Sequence, residues 1–474
     1  MELLDPLLLS RIQFAFVVSF HALFPVFTIG LAAYIAVLEA LWYRTDSPLY
    51  RRLAEFWTRI FAVVFGMGVV SGLVMSFQFG TNWSAFSFAT ANLLGPVLSY
   101  EVLTAFFLEA VFLGILLFGR DRVPRGVHLF AAVMVAVGTF ISSFWILAAN
   151  SWMHTPAGYE LREGVVHVTS WAEAIFNPSL WYRFGHVALA SLLTGGFVVA
   201  GVSAYYLLRD REVALNRKAL SMTVWMLLLA APGQILMGDL HGLNTFEHQP
   251  TKVAAMEGNW QTQRGVPFYL FALPDGEAET NRLGLAIPNA TSFLLTHHWD
   301  GEVPGLTEVG PDERPPVAFV FWSFRVMLAL GTLMLLAVLW ATWLRLRGRL
   351  FTSRPLLKGL QWLIPAPFVA VLAGWFVTEG GRQPYLIYGE MTLAEGLTPA
   401  LTGGMALFTL LGYIAVYAVV FVAGVHYVVR IVQSGPEQVG EAEQPAHAKR
   451  PLAATDIPFD DEAPLGGNGT GTRR

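Results

Sequence analysis

The segment Gly374-Trp375-Phe376-Val377-Thr378-Glu379-Gly380-Gly381-Arg382-Gln383-Pro384-Tyr385 puts a carboxylate, Glu379, at the end of an apolar run, with an arginine, Arg382, three residues later. A bare charge at the edge of hydrocarbon costs about 3 kcal/mol or more and marks a functional site by default. The glycines at 380 and 381 predict that the helix stops there and the chain turns. Other reactive side chains sit inside apolar runs: His21, His186, Met327 next to Arg325, and the carboxylates Glu101 and Glu109. Glu101 and Glu109 are eight residues apart, about 12 Å along a helix and roughly 80° around it. Counting depth from the basic inner ends sets His21, Glu101, His186, Met327 and Glu379 in one outer layer. A Met/His pair suits a low-spin, electron-transferring haem iron. The blander reading of each residue alone is packing for Met327 and a hydrogen-bonded or snorkelling group for the rest. That reading is kept for His128 and His426, which fall at inner helix ends.

These residues need helices long enough to cross a bilayer, and the composition supplies them. The chain has 474 residues, 55% hydrophobic and 14% charged, without cysteine. Soluble domains carry about 25% charge, so the chain reads as an all-α polytopic membrane protein. Disulfides, thiolate metal sites and thioether haem attachment are excluded. The short basic clusters do not suggest a nucleic-acid partner. The first apolar run is too long, and lacks the basic start, for a cleavable leader.

Nine spans are predicted: Gln13–Trp42, Phe56–Phe77, Val97–Phe118, Val127–Asn150, Phe184–Leu208, Leu220–Leu240, Val317–Leu344, Leu360–Glu379 and Leu401–Val429. Each crosses ~30 Å of hydrocarbon with roughly 20 residues. Arginines and lysines follow spans one, three, five and seven, which predicts an outer N-terminus and a cytoplasmic C-terminus. Residues 1–432 then form the bundle, including an external loop at 241–316. Residues 433–474, rich in Pro, Gly and Glu, read as a disordered cytoplasmic tail. Glu101 opens the third span on the outer side in this scheme.

Eight segments carry a resemblance: SRIQFAFVVSFHALFPVFTIG around His21, VMSFQFGTNWS, YEVLTAFFLEAVFLG, SSFWILAANSWM, FGHVALAS around His186, TKVAAMEGNWQTQ, FWSFRVMLALG around Met327, and GWFVTEGGRQPY. In this order they resemble subunit I of the cytochrome bd family of bacterial quinol oxidases. The resemblance implies a low-spin haem b, a high-spin haem b and a haem d. It implies His186 and Met327 as ligands of the low-spin haem, and His21 and Glu379 as ligands of the two high-spin haems. Glu101 matches a residue at the high-spin site. Arg325 and Arg382 match charges near the haems, and Trp375 joins the cofactor-binding set. Lys252 and Glu257 match residues of the quinol loop, with Glu257 as the candidate base. Glu109 and Glu101, with Ser142, are candidate proton carriers. Tyr385 departs from the family's usual Trp. Loop 241–316 resembles the short form of a subgroup that includes cyanide-insensitive oxidases, where a further b-type haem can replace haem d. Implied partners are quinol, O2, a second membrane subunit and a small single-span one, in the bacterial inner membrane. Two competing readings are a b-type electron carrier and a proton-coupled transporter, both without oxygen chemistry.

Overall fold

The computed structural model describes residues 4–436, so the tail expected at 433–474 lies outside the described residues except for its first four. In chain order the helices are α1 Pro6–Thr45, α2 Pro48–Thr81, α3 Ser84–Glu101, α4 Phe107–Phe118, α5 Arg125–His154, α6 Trp171–Ile175, α7 Leu180–Leu207 and α8 Val213–His248. They continue with α9 Pro250–Glu257, α10 Ala290–Thr296, α11 Val317–Leu346, α12 Arg354–Trp362, α13 Ala366–Gly380, α14 Leu393–Gly396 and α15 Gly403–Ser434. Nine helical stretches among the described residues are long and apolar enough to cross a membrane. Local signals start them. Asp5 caps α1 by accepting from the Leu7 amide, and Pro6 and Pro48 sit in the first turns of α1 and α2. Proline is at home there, where its missing N–H has no partner to lose.

Between the spans the described residues form four two-stranded antiparallel sheets. They pair β1 Tyr159–Arg162 with β2 Val165–Val168, β3 Gln263–Arg264 with β6 Glu302–Val303, β4 Phe268–Asp275 with β5 Thr280–Ile287, and β7 Tyr385–Ile387 with β8 Met391–Thr392. All lie at the end of the bundle that carries Glu379.

Helices α1, α2 and α7 form the centre. Leu31, Ile35 and Leu38 of α1 pack with Trp57, Ile60 and Phe61 of α2. At Gly30, α1 meets α7 so closely that a Cβ would stand 2.0 Å from the Ser191 carbonyl oxygen, with Gly195 facing it. Only small residues allow such backbone approach between membrane helices.

Three boundaries differ from the sequence reading. The third span begins at Ser84, not Val97: Gly95 and Pro96 look like a break, yet the helix runs through them and carries a π-type turn at Val102–Phe106. Glu101 is therefore in mid-helix and does not open the span. The sixth span continues to His248, so the first turns of the expected 241–316 loop are helical. The eighth span is two helices, α12 and α13, parted before Pro365.

Candidate functional site

Glu379 ends α13 one residue before Gly380, as the glycines predict. Its Oε1 accepts from Asn150 Nδ2 at 2.9 Å and lies 3.5 Å from His154 Nε2; its Oε2 pairs with Arg382. His154 is fully buried at the end of α5. On its other side Nδ1 is 3.0 Å from Lys252 Nζ, and the ammonium also donates to Gln249 Oε1 at 2.6 Å. The lysine ammonium can only donate, so beside it Nδ1 accepts and the ring proton on Nε2 is aimed at Glu379. Lys252 is 3% exposed. Burial, with Arg183 nearby, brings its ammonium well below the ordinary lysine range; Glu379 opposes the shift and Arg382 adds to it. Gly381 permits the contact, because a Cβ there would meet Lys252 Cγ at 2.6 Å.

Glu257 points elsewhere. It ends the eight-residue helix α9, and its Oε2 accepts from Arg325 Nη2 of α11 at 2.9 Å and from Thr291 Oγ1 at 3.4 Å. Burial pushes this carboxyl up, against the opposing pull of Arg325 and Thr291. Five residues of helix separate Lys252 and Glu257, so they leave α9 on different sides, as the spacing implies.

His186 of α7 has Gln234 Nε2 at 3.2 Å from its Nε2, and the His241 ring 5.6 Å away, both on α8. A Cβ at Gly238 would stand 3.3 Å from His186 Cε1. Met327 of α11 sets its Sδ against Gly374 of α13, where a Cβ would lie at 3.1 Å. Trp375, next along α13, packs against the cluster of Leu147, Ala148 and Leu180. His21 of α1 has Ser71 Oγ 2.9 Å from Nδ1, and its ring lies over Gly72 of α2.

The single outer layer does not hold. Arg11 donates to Gln383, so these two are level; His21 is ten residues further along α1, about 15 Å deeper. Glu101 accepts from Ser142 Oγ at 2.7 Å, and Ser142 is eight residues, about 12 Å, below Asn150 on α5. Glu379 and Lys252 form an upper tier; His21 and Glu101 form a lower one. Span one starts at Pro6 and span three at Ser84, so His21 and Glu101 lie deeper than a twenty-residue count back from the inner ends, or a start at Val97, puts them.

The π-type turn changes the carboxylate pair as well. A wide turn takes up one extra residue, so eight residues act as about seven, and the roughly 80° offset of a regular helix shrinks to about 20°. Glu101 meets Ser142, and Glu109, 6% exposed, packs against Gly138 one turn away on the same face of α5. Both carboxylates thus face one groove between α3–α4 and α5.

His154, Asn150, Arg183 and Gln249 were not singled out from sequence. A His or Arg at a helix end ordinarily reads as solvated, and only the fold shows these buried. His128 bears out the bland reading: it is buried, with Glu39 Oε2 at 3.2 Å and the Leu116 carbonyl at 3.1 Å.

Arg183 Nε, both Arg382 Nε and Nη1, and Gln234 Oε1 are buried without a hydrogen-bond partner among the described residues. The Gln234 oxygen is an acceptor that needs a donor, and the buried arginine nitrogens are donors that need an acceptor. A planar macrocycle bearing carboxylates would supply several, with imidazole, thioether or carboxylate reaching its iron. Gly238 and Gly374 let the His186 ring and the Met327 sulfur sit close against α8 and α13. The residues therefore fit haem. Among the described residues no three His, Asp or Glu gather as a cage for a bare ion, whereas a haem iron takes only one or two protein ligands.

Comparisons with known proteins agree. The family model for cytochrome bd terminal oxidase subunit I matches residues 9–436. The cytochrome bd ubiquinol oxidase subunit 1 of Bacillus subtilis is 37% identical over 453 residues, covering 93% of this chain and 97% of that one. The cytochrome bd-II ubiquinol oxidase subunit 1 of Escherichia coli is 33% identical, covering 93% of this chain and 99% of that one. The solved structure of the bd oxidase from Geobacillus thermodenitrificans superposes with a TM-score of 0.84 at 31% identity, over 92% of this chain and 100% of that one. This chain belongs to the cytochrome bd terminal oxidase subunit I family: a multi-pass, haem-carrying oxidoreductase subunit of a bacterial inner-membrane respiratory oxidase.

Proposed function

We propose that this subunit oxidises quinol at the face of the membrane carrying Glu379, which is the outer face, and that dioxygen is reduced to water within its bundle. Positive charge retained at the other end of the spans supports that orientation. His186 and Met327 are read as ligands of a low-spin haem b. His21 and Glu379 serve a high-spin haem b and a haem d, or a further haem b in its place. When bound, the haems accept the quinol's electrons and deliver them to dioxygen.

The protein's own groups handle protons. Glu257 is the base for one quinol hydroxyl: it is buried, oriented by Arg325 and Thr291, and its raised affinity for protons suits it to accept one. Lys252, on the other side of α9, is bonded to His154 and Gln249 and is read as a further quinol-loop contact on the side of Glu379. On the other side, Glu109 and Glu101 with Ser142 line a groove through which protons from the cytoplasm reach the lower tier. Protons released outside and consumed from inside separate charge without a pump. A second large membrane subunit completes the oxidase, with a small single-span subunit beside it. The loop carrying Lys252 and Glu257 is of the short form.

The observation that carries this reading is the row Lys252–His154–Glu379, fully buried at His154 and half-buried at Glu379, flanked by Arg183 Nε and Arg382 Nε and Nη1, which are buried without a partner among the described residues. The test is a reduced-minus-oxidised spectrum of the purified complex, with quinol-driven oxygen uptake. Haem bands together with uptake are expected. Absence of a Soret band would remove every haem assignment, and bands without uptake would leave an electron carrier.

A further inference from the structure

We infer that the β4–β5 hairpin is an interfacial foot, lying in the headgroup layer of the leaflet on the Glu379 side with lipid as its partner. Its apolar side chains are exposed: Leu270, Phe271, Leu273, Leu283 (76%), Leu285 (62%) and Ile287. Six exposed apolar side chains on one hairpin are more than scattered surface residues and mark an interaction surface. Leu283 also sits at φ 52°, in the left-handed region, which a bulky residue adopts only at a cost in strain. The chain accepts that strain at the most exposed apolar side chain of the hairpin.

The position of the hairpin along α11 identifies what it meets. At its root the Tyr269 carbonyl accepts from Arg325 Nε, the Arg325 guanidinium lies 4.4 Å from the Phe268 ring centroid, and the Phe271 ring is 5.1 Å from Trp322. Arg345 ends α11 at its other end, twenty residues on, a length that spans about 30 Å. The hairpin root is therefore level with the edge of the hydrocarbon. Its tip is the opposite in chemistry. Asp275 pairs with Arg282, and Glu279 pairs with Arg314 at 2.7 Å, just ahead of α11. Apolar residues cluster from the root to mid-strand and charges at the tip, which is the polarity gradient of a membrane interface. Aromatics at the root, Tyr269, Phe271 and Trp322, suit the same layer. Deeper insertion is ruled out, because a two-stranded sheet has unpaired edge groups that hydrocarbon cannot satisfy.

The chain has no cysteine, so single labelling sites can be introduced cleanly. Leu285→Cys, Leu270→Cys and Glu277→Cys are spin-labelled in the full oxidase complex, in nanodiscs of phosphatidylethanolamine and phosphatidylglycerol. The unsubstituted complex provides the background. Power saturation compares collisions with oxygen, which partitions into lipid, and with a water-soluble nickel chelate. Labels at 285 and 270 are expected to favour oxygen, and the label at 277 the chelate. Chelate access at 285 and 270 equal to that at 277 would overturn the inference. Shielding of 285 and 270 from both relaxers would overturn it too, by showing that a protein partner covers the patch. The readout does not depend on oxidase activity, so it fails or succeeds separately from the proposed function.

Discussion

Lys252 of α9 and Glu379 of α13 are joined by a single imidazole: His154 stands 3.0 Å from the ammonium and 3.5 Å from the carboxylate. A group read as touching quinol and a group read as holding iron therefore share one rigid, buried connector. Removing a member of a buried charged network costs about 3–5 kcal/mol, because the remaining charges lose their partner. His154→Ala is expected to lower the unfolding temperature and the haem content together. His154→Gln, which keeps an acceptor and a donor, should retain more of both. Equal losses in the two variants, measured by thermal unfolding followed at the Soret band, would show that ring volume and not hydrogen bonding matters.

Glu257 gives a pH dependence with a defined sign. Its folded carboxyl is raised above the ordinary 4.5, so the base form appears only at higher pH, and quinol kcat/KM should climb on an acid limb displaced upward. Arg325 opposes that rise. Arg325→Gln therefore moves the limb further to alkaline pH, and Glu257→Gln removes it. In the folding equilibrium the folded state holds the extra proton, so Glu257 makes stability fall as pH rises from about 4.5 through the raised value. A limb at the same pH in Arg325→Gln and the parent would exclude Glu257 as the titrating base.

The Glu101–Glu109 groove makes a kinetic prediction. Glu109→Leu keeps the packing against Gly138 but removes the carboxylate, so oxygen reduction should slow by at least tenfold, about 1.4 kcal/mol in the barrier, with haem content unchanged. Ser142→Ala, which removes the donor to Glu101, should have a smaller effect in the same direction. Stopped-flow oxidation of the reduced complex checks both, and parental turnover in Glu109→Leu would exclude the route.

How far the site could be read from sequence depended on chemical rarity. His21, His186 and Glu379 stood out because ionisable groups within apolar runs are costly. The spans were legible from hydropathy, since backbone groups in lipid must be satisfied within a helix. What failed was whatever tertiary context decides. Pro96 breaks helices in water, yet here the helix continues past it into a wide turn, so the depth of Glu101 is misread from sequence, while the face it shares with Glu109 is not. His154 and Arg183 sit at helix ends, where sequence gives no sign of burial; packing of α5 against α7 and α9 supplies it. The direction of Lys252 and Glu257 away from each other was legible from spacing, but their separate partners, His154 and Arg325, were not.

Gly381 tests whether close approach, more than chain reversal, is what the glycine pair provides. Its backbone is ordinary right-handed, at φ −72°, so alanine is not excluded by conformation. The obstacle is steric: the new Cβ would stand 2.6 Å from Lys252 Cγ and 2.6 Å from the Val377 carbonyl oxygen. Lys252 is wedged between His154 and Gln249 and cannot swing freely. Overpacking of this kind costs about 1–3 kcal/mol. Gly381→Ala is therefore expected to push Lys252 off His154 and raise the KM for quinol more than it lowers kcat, with a modest loss of stability. Gly380 provides the control on the same turn, since its Cβ would meet Phe319 and Val320 and not Lys252. Gly380→Ala should destabilise through packing and leave the KM near the parent value. Steady-state kinetics on both variants decide the matter: a KM unchanged in Gly381→Ala would mean that Lys252 does not contact quinol, or that it yields to the methyl group without losing its place.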